Sequence, residues 1–537
     1  MHCLPIGERA LALCLDDAGK ATLGRVRAVA EAVAAARLPG VEEIVASPGR
    51  VTVTASLGGD MAALETALTY FAGQAAFTAK HAATTHDIPV AYDGPDLDDV
   101  CTMHRIDRRQ LVALHTESEY VVEAIGFLPG FGYLAGLPES LATPRRATPR
   151  ARVPQGAVGI GGGQTGIYPC ASPGGWNIIG RSPVIFFDAT RPQPSLLAVG
   201  DRVRFMAADL PPNDGEPLAS PAAVEPVPQS TAITVVQPGL FTTVQDRGRR
   251  GHRAAGVPLS GAADSVSLRL ANLLVGNDED AAAIECTLLG PTLRFDRETI
   301  VALVGAAFPG LPMNQPVRVA AGAEIALGHA TLGCRGVLAV SGGIDVPAVL
   351  GSRSTLVAAG FGGHAGRPLK AGDRLAVGEA LGRRRPIEAL PPLLVTPTRP
   401  RVLRVIPGEH AVVAGDAIWS RPFCASSRSD RMGLRLDGEP LPGAGHDGSM
   451  RSVAVFPGTV QLPPDGRPIV LLADAQTIGG YPVLGQVIEA DLPLAAQLRP
   501  GEEVRLQQTT IEEARGAVRD RDAALASVGA TTQGGVS

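Results

Sequence analysis

The sequence predicts an α+β fold that is mostly β: short strands and turns, barrel-like units in both halves, and a small α+β domain at the N-terminus. Three observations carry this. Glycine and proline are abundant, 64 and 45 of 537 residues, a balance that favours short strands and turns over helical bundles. The block from Gly126 to Arg181 is so dense in both that no ordinary helix or long strand fits inside it. A fainter copy of part of that block returns at Val455–Gly485.

Taken in order, residues 1–87 form the small α+β domain. Leu23 to Arg37 has helical spacing (Val26, Val29, Ala30, Val33) and stops at Leu38-Pro39-Gly40. Val41–Ala46 and Val51–Ala55 alternate as strands, and Met61–Ala72 is a second amphipathic helix. Residues 88–208 form the first barrel. Ile88–Tyr92 is a short strand, Asp96–Val100 and Arg108–Leu114 are short helices, and Val184–Phe187 and Arg202–Met206 are closing strands. Residues 209–232 are rich in proline and lack periodicity, as an interdomain linker does. Residues 233–508 form a second β-barrel domain, with a Pro/Arg-rich subdomain boundary near 382–400. In it Leu240–Val244, Ile300–Val304, Val317–Val319, Glu324–Leu327 and Gly336–Val340 are strands and Leu268–Leu274 is helical. Residues 509–537 suggest a solvent-exposed helix and a frayed tail.

The internal echo can be laid out string by string. Pro154-x-Gly156-x-Val158, Gln164-Thr165 with Tyr168-Pro169, and Leu197-x-x-Gly200-Asp201 recur in order. Their copies are Pro457-Gly458-x-Val460, Gln476-Thr477 with Tyr481-Pro482, and Leu498-x-x-Gly501-Glu502. The last string appears a third time at Leu369–Leu375. There the simplest reading is a turn into a closing strand.

Composition excludes several functions. The chain has only three lysines, Lys20, Lys80 and Lys370. Lys20 follows Gly19 but precedes Ala21, so no Gly-Lys-Ser/Thr phosphate loop forms. No lysine has a methionine neighbour, so no covalent biotin is expected in this chain. Seven scattered cysteines without Cys-x-x-Cys argue for a reducing compartment, and no Cys/His cluster has zinc spacing, so no metal is expected. A net charge of -5 without a basic aromatic patch argues against nucleic acid. With neither a basic leader nor a long apolar run, the chain reads as cytoplasmic, with no membrane partner.

Several polar groups are candidate site residues. Gly161–Gly166 satisfies G-x-G-x-x-G, but Pro169 follows too soon for the helix a dinucleotide needs. Gln164-Thr165 and Gln476-Thr477 offer uncharged donors and acceptors suited to a small amide or carboxylate, or they fix turns. Arg145, Arg146 and Arg150 grip an anion or form a solvated basic loop. Gln245-Asp246-Arg247-Gly248-Arg249-Arg250, after the strand Leu240–Val244, and Ser427–Gly433, with Asp430 and Arg431, after Phe423, are compact polar clusters, with site and structural roles both open. His115, four positions before Glu119, is an acid/base candidate. No Gly-x-Ser-x-Gly elbow and no Gly-Gly-Ser-Ser amidase serine is present.

The strings GFLPGFGYLAGLP, LATPRRATPRARVP, GGQTGIYP and SPGGWNIIGR resemble the family of 5-oxoprolinase B subunits, also called allophanate hydrolase subunit 1-like. GLFTTVQDRGRRGHRAAGVPLSGAAD, LANLLVGN, GGIDVPAVLGSRST, SDRMGLRL and LLADAQTIGGYPVLGQVIEADL resemble the family of 5-oxoprolinase C subunits, allophanate hydrolase subunit 2-like. The whole resembles a natural fusion of the two over residues 88–208 and 233–508. Glu123-Ala124 departs from the family pattern, where aromatic residues or methionine are common.

The resemblance implies cyclophilin-like barrels and an ATP-dependent lactam hydrolase that opens 5-oxo-L-proline to L-glutamate with a separate 5-oxoprolinase A subunit. ATP is then a co-substrate whose site no motif here marks. Catalytic roles fall to His115, Asp246 and Asp430. Substrate binding falls to Gln164, Thr165, Gln245, Arg353, Arg431, Gln476, Thr477 and Tyr481. One alternative is the carboxyltransferase component of a biotin-dependent urea or amide carboxylase. A second is a regulatory binder of a histidine kinase. The oligomeric state is open, a homo-oligomer included.

Overall fold

The computed structural model describes residues 1–15, 23–56, 58–74, 83–211, 233–380, 401–445 and 450–533, with side chains to residue 528. Most of the expected linker at 209–232, the Pro/Arg-rich boundary near 382–400 and the end of the expected tail lie outside them. No helix among the described residues is long and apolar enough to cross a membrane.

The N-terminal sheet is antiparallel, in the order His2–Ile6, Ala10–Cys14, Arg50–Ala55, Val41–Ser47. One face packs Leu11, Leu13, Val51 and Val53 against Val26, Val29 and Val33 of helix Leu23–Ala36 and Leu64 and Leu68 of helix Met61–Gln74. The other face packs Ala10 and Val45 against Phe456 and Ile478. Both faces are covered, so Ala10–Cys14 is apolar and buried throughout. It lacks the alternation that marks a half-exposed strand and was not anticipated.

The next sheet has seven strands, in the order Asn177–Arg181, Ala157–Gly161, Gln164–Ile167, Gly132–Ala135, Tyr120–Ile125, Arg202–Ala207, Thr85–Val90. A bridge between Ala91 and Arg181 joins its two edges. The dinucleotide-like glycines form a two-residue hairpin turn, with Gly161 paired to Gln164. A Cβ on Gly161 would lie 2.5 Å from the Trp176 ring, so the indole packs directly on bare backbone. Val184–Phe187 is not a strand. Only Phe187 makes a bridge, to Ser195, while Phe186 anchors this loop in the core; Pro183 withholds one donor from any ladder.

Residues 233–377 form two five-stranded sheets packed face to face. Residues 401–508 close a seven-stranded barrel. Its strands Arg401–Pro407, Pro422–Ala425, Gly433–Asp437, Thr459–Gln461, Ile469–Leu471, Val483–Val487 and Glu503–Gln508 repeat the neighbour order of the first barrel. In both, two helices follow the first strand, and the last strand runs parallel to the first. The duplication is therefore real, but its sharpest sequence match is not part of it. Gln164-Thr165 begins the strand equivalent to Ile469–Leu471, whereas Gln476-Thr477 lies beyond that strand, leading into Ile478–Gly479.

The Leu-x-x-Gly-acid string is one turn used three times. Gly200, Gly372 and Gly501 have φ of 90°, 89° and 83°, where a side chain would be strained. The carboxylates of Asp201, Asp373 and Glu502 accept from the backbone N–H groups of Ala198, Lys370 and Arg499 at 2.9, 2.7 and 3.0 Å. Each turn delivers a closing strand.

The helix Ile511–Gln533 exposes one face to solvent and buries the other. Ala514, Val518, Arg521, Leu525 and Val528 are buried at alternating spacings of four and three, one helix face. Leu525 and Val528 pack on helix Ser265–Leu274.

Candidate active site

The predicted residues separate into three places. His115 lies inside the first barrel, fully buried, stacked on Phe205 at 4.5 Å. Its Nδ1 is 2.8 Å from the Tyr92 hydroxyl and its Nε2 is 3.0 Å from Thr165 Oγ1. Burial drives its pKa down to about 3, so the ring is neutral at physiological pH. Gln164 donates to Glu123 at 3.0 Å. Arg146 and Arg150 grip a carboxylate, that of buried Asp96, which also accepts from the Ile178 N–H. They are neither a solvated loop nor a free anion site.

Asp430 is exposed, and its carboxylate accepts from the N–H groups of Met432 and Gly433 at 2.8 and 3.1 Å. That shapes the turn into strand Gly433–Asp437. Thr477 is buried against Gly126 of the first barrel, while Gln476 and Tyr481 are partly buried.

The remaining predicted residues share one buried network. Asp246 accepts from Gly248 N–H (2.8 Å), Ser352 Oγ (2.6 Å), Arg353 N–H (2.6 Å) and Ser354 Oγ. So many donors hold this carboxylate in place as a structural anchor. Arg353 contributes its backbone here; its guanidinium turns to Val346 and Asp345. Gln245 donates to the Thr355 carbonyl at 3.2 Å. The same carbonyl lies 3.0 Å from Ser260 Oγ, which lies 2.9 Å from Asp474 Oδ1. Arg431 is bidentate to Asp474 at 2.8 and 2.9 Å and also pairs with Glu285. Burial opposes its charge, but Asp474 and Glu285 outweigh it and raise the pKa.

Ser260 faces a cavity of about 250 Å³ at the junction of both halves. That is below the range of roughly 300–1,000 Å³ for drug-sized ligands, so it suits a small molecule. Glu8, Arg9 and Glu43 come from the N-terminal sheet, Arg247, Arg250, Arg253 and Ser260 from the loop after strand Phe241–Gln245, Phe456 and Glu489 from the closed barrel, and Arg521 from the C-terminal helix. Arg247 and Arg250 of the polar cluster read from sequence line it, whereas none of the residues given a catalytic or substrate-binding role there does. Gln245, Asp246, Arg353 and Arg431 stand behind it, connected through Ser260 and its neighbours.

Its electrostatics are uneven. Burial raises the pKa of Glu8 and of Glu43, which favours their neutral forms. Burial also opposes the charge of Glu489, but Arg9 and Arg521 outweigh it and keep its pKa low. Burial, with Arg269 and Arg250 nearby, lowers that of Arg247. Arg253 is fully within the wall, over the Phe456 ring at 4.7 Å, and burial lowers it to about 10. Ser260 has φ +56°, an uncommon conformation for a side chain. The cavity thus joins carboxyls whose pKa burial raises to cationic donors, the equipment for polarising a carbonyl. Among the described residues no group of three His, Cys, Asp or Glu side chains is placed to hold a metal.

Sequence reasoning missed Glu8, Glu43, Ser260, Glu285, Asp474 and Glu489. The strained LSGAAD turn was visible as a string, but nothing local connects Glu8 to Glu489.

Residues 1–197 match the family model described as carboxyltransferase domain, subdomain C and D, and residues 255–508 match subdomain A and B. The chain is 40% identical to the C subunit of 5-oxoprolinase from Escherichia coli over 305 residues, 54% of this chain and 95% of that protein. Over 123 residues it is 53% identical to the B subunit of 5-oxoprolinase from Haemophilus influenzae, 22% of this chain and 58% of that protein. The crystal structure of TTHA0988 superposes with a TM-score of 0.80 at 36% identity, over 94% of this chain and 100% of that one.

Proposed function

Because the chain belongs to the carboxyltransferase-domain family, joining one part related to 5-oxoprolinase B subunits to another related to 5-oxoprolinase C subunits, we propose that it is the B-C component of an ATP-dependent 5-oxoprolinase. The reaction opens 5-oxo-L-proline to L-glutamate with a separate A subunit, in the cytoplasm. One observation supports this above the others: a single small cavity takes walls from both halves. Were the two halves separate polypeptides, as the B and C subunits of the relatives are, a cavity walled this way would need both to assemble. Fusion makes it permanent.

5-Oxoproline presents a carboxylate and a neutral lactam. In this reading Arg247 and Arg250 at the rim receive the carboxylate. Glu43 or Glu8, held toward the protonated form, donates to the lactam oxygen, which makes its carbonyl carbon a better electrophile. Gln245, Asp246, Arg353 and Arg431 position the Ser260 turn. ATP is a co-substrate that activates the lactam before water replaces the ring nitrogen; no residue here is assigned to it.

The test combines the purified chain, its A-type partner, ATP and 5-oxo-L-proline and measures glutamate. Glutamate should require every component. Release by the chain alone would contradict the need for that partner, and no release from the full mixture would contradict the reading. The family model's description supports a second reading, carboxyl transfer to a small amide. A biotinylated partner carrying ¹⁴C-carboxyl, with label appearing on urea, would establish that instead.

A further inference from the structure

A second cavity, of about 440 Å³, lies between the β-sandwich, the closed barrel and the C-terminal helix. Arg401 and Asn314 line it. Arg401 is only 4% exposed, yet its Nε and Nη2 have no hydrogen-bond partner. Glu502 stands 3.7 Å from Nη2, close enough to balance charge but too far to bond. Asn314 Oδ1 is also buried without a donor, on backbone held at φ +59°.

The other buried polar groups of this wall are occupied, and the carboxylate of Asp520 lines the cavity from an exposed position. Arg404 is bidentate to Asp491 at 3.0 and 2.6 Å. Arg521 donates to the Glu489 carbonyl at 3.1 Å. Gln497 donates to Asp264 at 2.8 Å and accepts from the Cys334 and Arg335 N–H groups. What is left over among the buried groups is one cationic donor and one neutral acceptor, both on residues that line this cavity. Native proteins rarely leave such pairs unmet.

We propose that this cavity binds a small amino- or amido-carboxylate, its carboxylate on Arg401 and its N–H on Asn314 Oδ1. A bare anion satisfies only Arg401, and a simple amine satisfies Asn314 while meeting the Arg401 charge. A molecule carrying both groups satisfies both. The site is separate from the junctional cavity, though Arg521 lines each. It stands independently of the reading of that cavity, although 5-oxoproline and glutamate both belong to this ligand class.

Calorimetric titration of the full chain with L-glutamate, 5-oxo-L-proline, acetate and inorganic phosphate tests this. One of the first two should saturate a site that weakens about tenfold or more in Arg401→Gln and in Asn314→Gly and survives in Arg250→Gln. The glycine variant keeps the left-handed backbone, so it reports even if Arg401→Gln fails to fold. Three results would overturn the proposal: no saturable binding of either compound, as for a cavity holding only water; binding unchanged in the folded variants; or acetate or phosphate binding as tightly.

Discussion

The Glu43 carboxylate accepts a hydrogen bond from the Gly251 backbone N–H at 2.5 Å, between residues 208 positions apart. The bond ties the N-terminal sheet to the arginine-bearing loop that walls the junctional cavity, and it sits beside a second buried carboxyl, Glu8.

Both carboxyls are raised above their ordinary value by burial. A carboxyl raised on folding binds more protons folded than unfolded between its two pKa values. Its contribution is therefore full below the ordinary value of 4.5 and is lost as pH rises through the folded value. Urea unfolding at intervals from about pH 4 to pH 7 should show the wild type losing stability relative to the double variant Glu8→Gln, Glu43→Gln. A difference independent of pH would refute this.

His115 has the opposite sign. Its folded pKa of about 3 lies below the ordinary 6.5, so the unfolded chain binds more protons between them. Stability should fall as pH drops from 6.5 toward 3, and His115→Phe should flatten that decline. In NMR spectra its ring proton should hold a constant shift from about pH 5 to 8. A midpoint near neutrality would restore it as an acid/base candidate.

Arg431, Asp474 and Glu285 are buried together, with side-chain exposures of 6%, 8% and 1%. Arg431→Met alone leaves two unpaired carboxylates and should cost about 3–5 kcal/mol in denaturant unfolding. Adding Asp474→Leu should recover part of that loss. Additive losses would mean that the groups do not act as a unit.

Ser260 combines a strained backbone with a hydroxyl bonded in the network. Ser260→Ala keeps the strain and removes the hydroxyl, at about 1–3 kcal/mol. Ser260→Gly also loses the hydroxyl but relieves roughly 1–2 kcal/mol of left-handed strain. The glycine variant should therefore be the more stable, and yet both should lose glutamate-forming activity. Full activity in either would remove Ser260 from the site.

Gly126 and Ile478 show how far local reading reaches. The glycine was legible as part of a turn-rich block. Its reason was not: a Cβ there would lie 2.2 Å from Ile478 Cγ1, in the other half. Likewise Gln164-Thr165 and Gln476-Thr477 match as strings but occupy different positions in their barrels, because a short string records turn chemistry and not its place in a sheet.

By itself the sequence determined the short strands, the three repeated glycine-acid turns, the duplicated barrel and the family. All of these rest on preferences between residues close along the chain. Only the tertiary structure decided where the candidate chemistry sits. Glu8, Ser260 and Glu489 meet at one cavity because separate sheets pack their faces together, and that packing depends on surfaces assembled from many distant segments. The same packing buries His115, encloses Arg401 and lifts the carboxyls, since removal from water sets each group's charge only once its neighbours are in place.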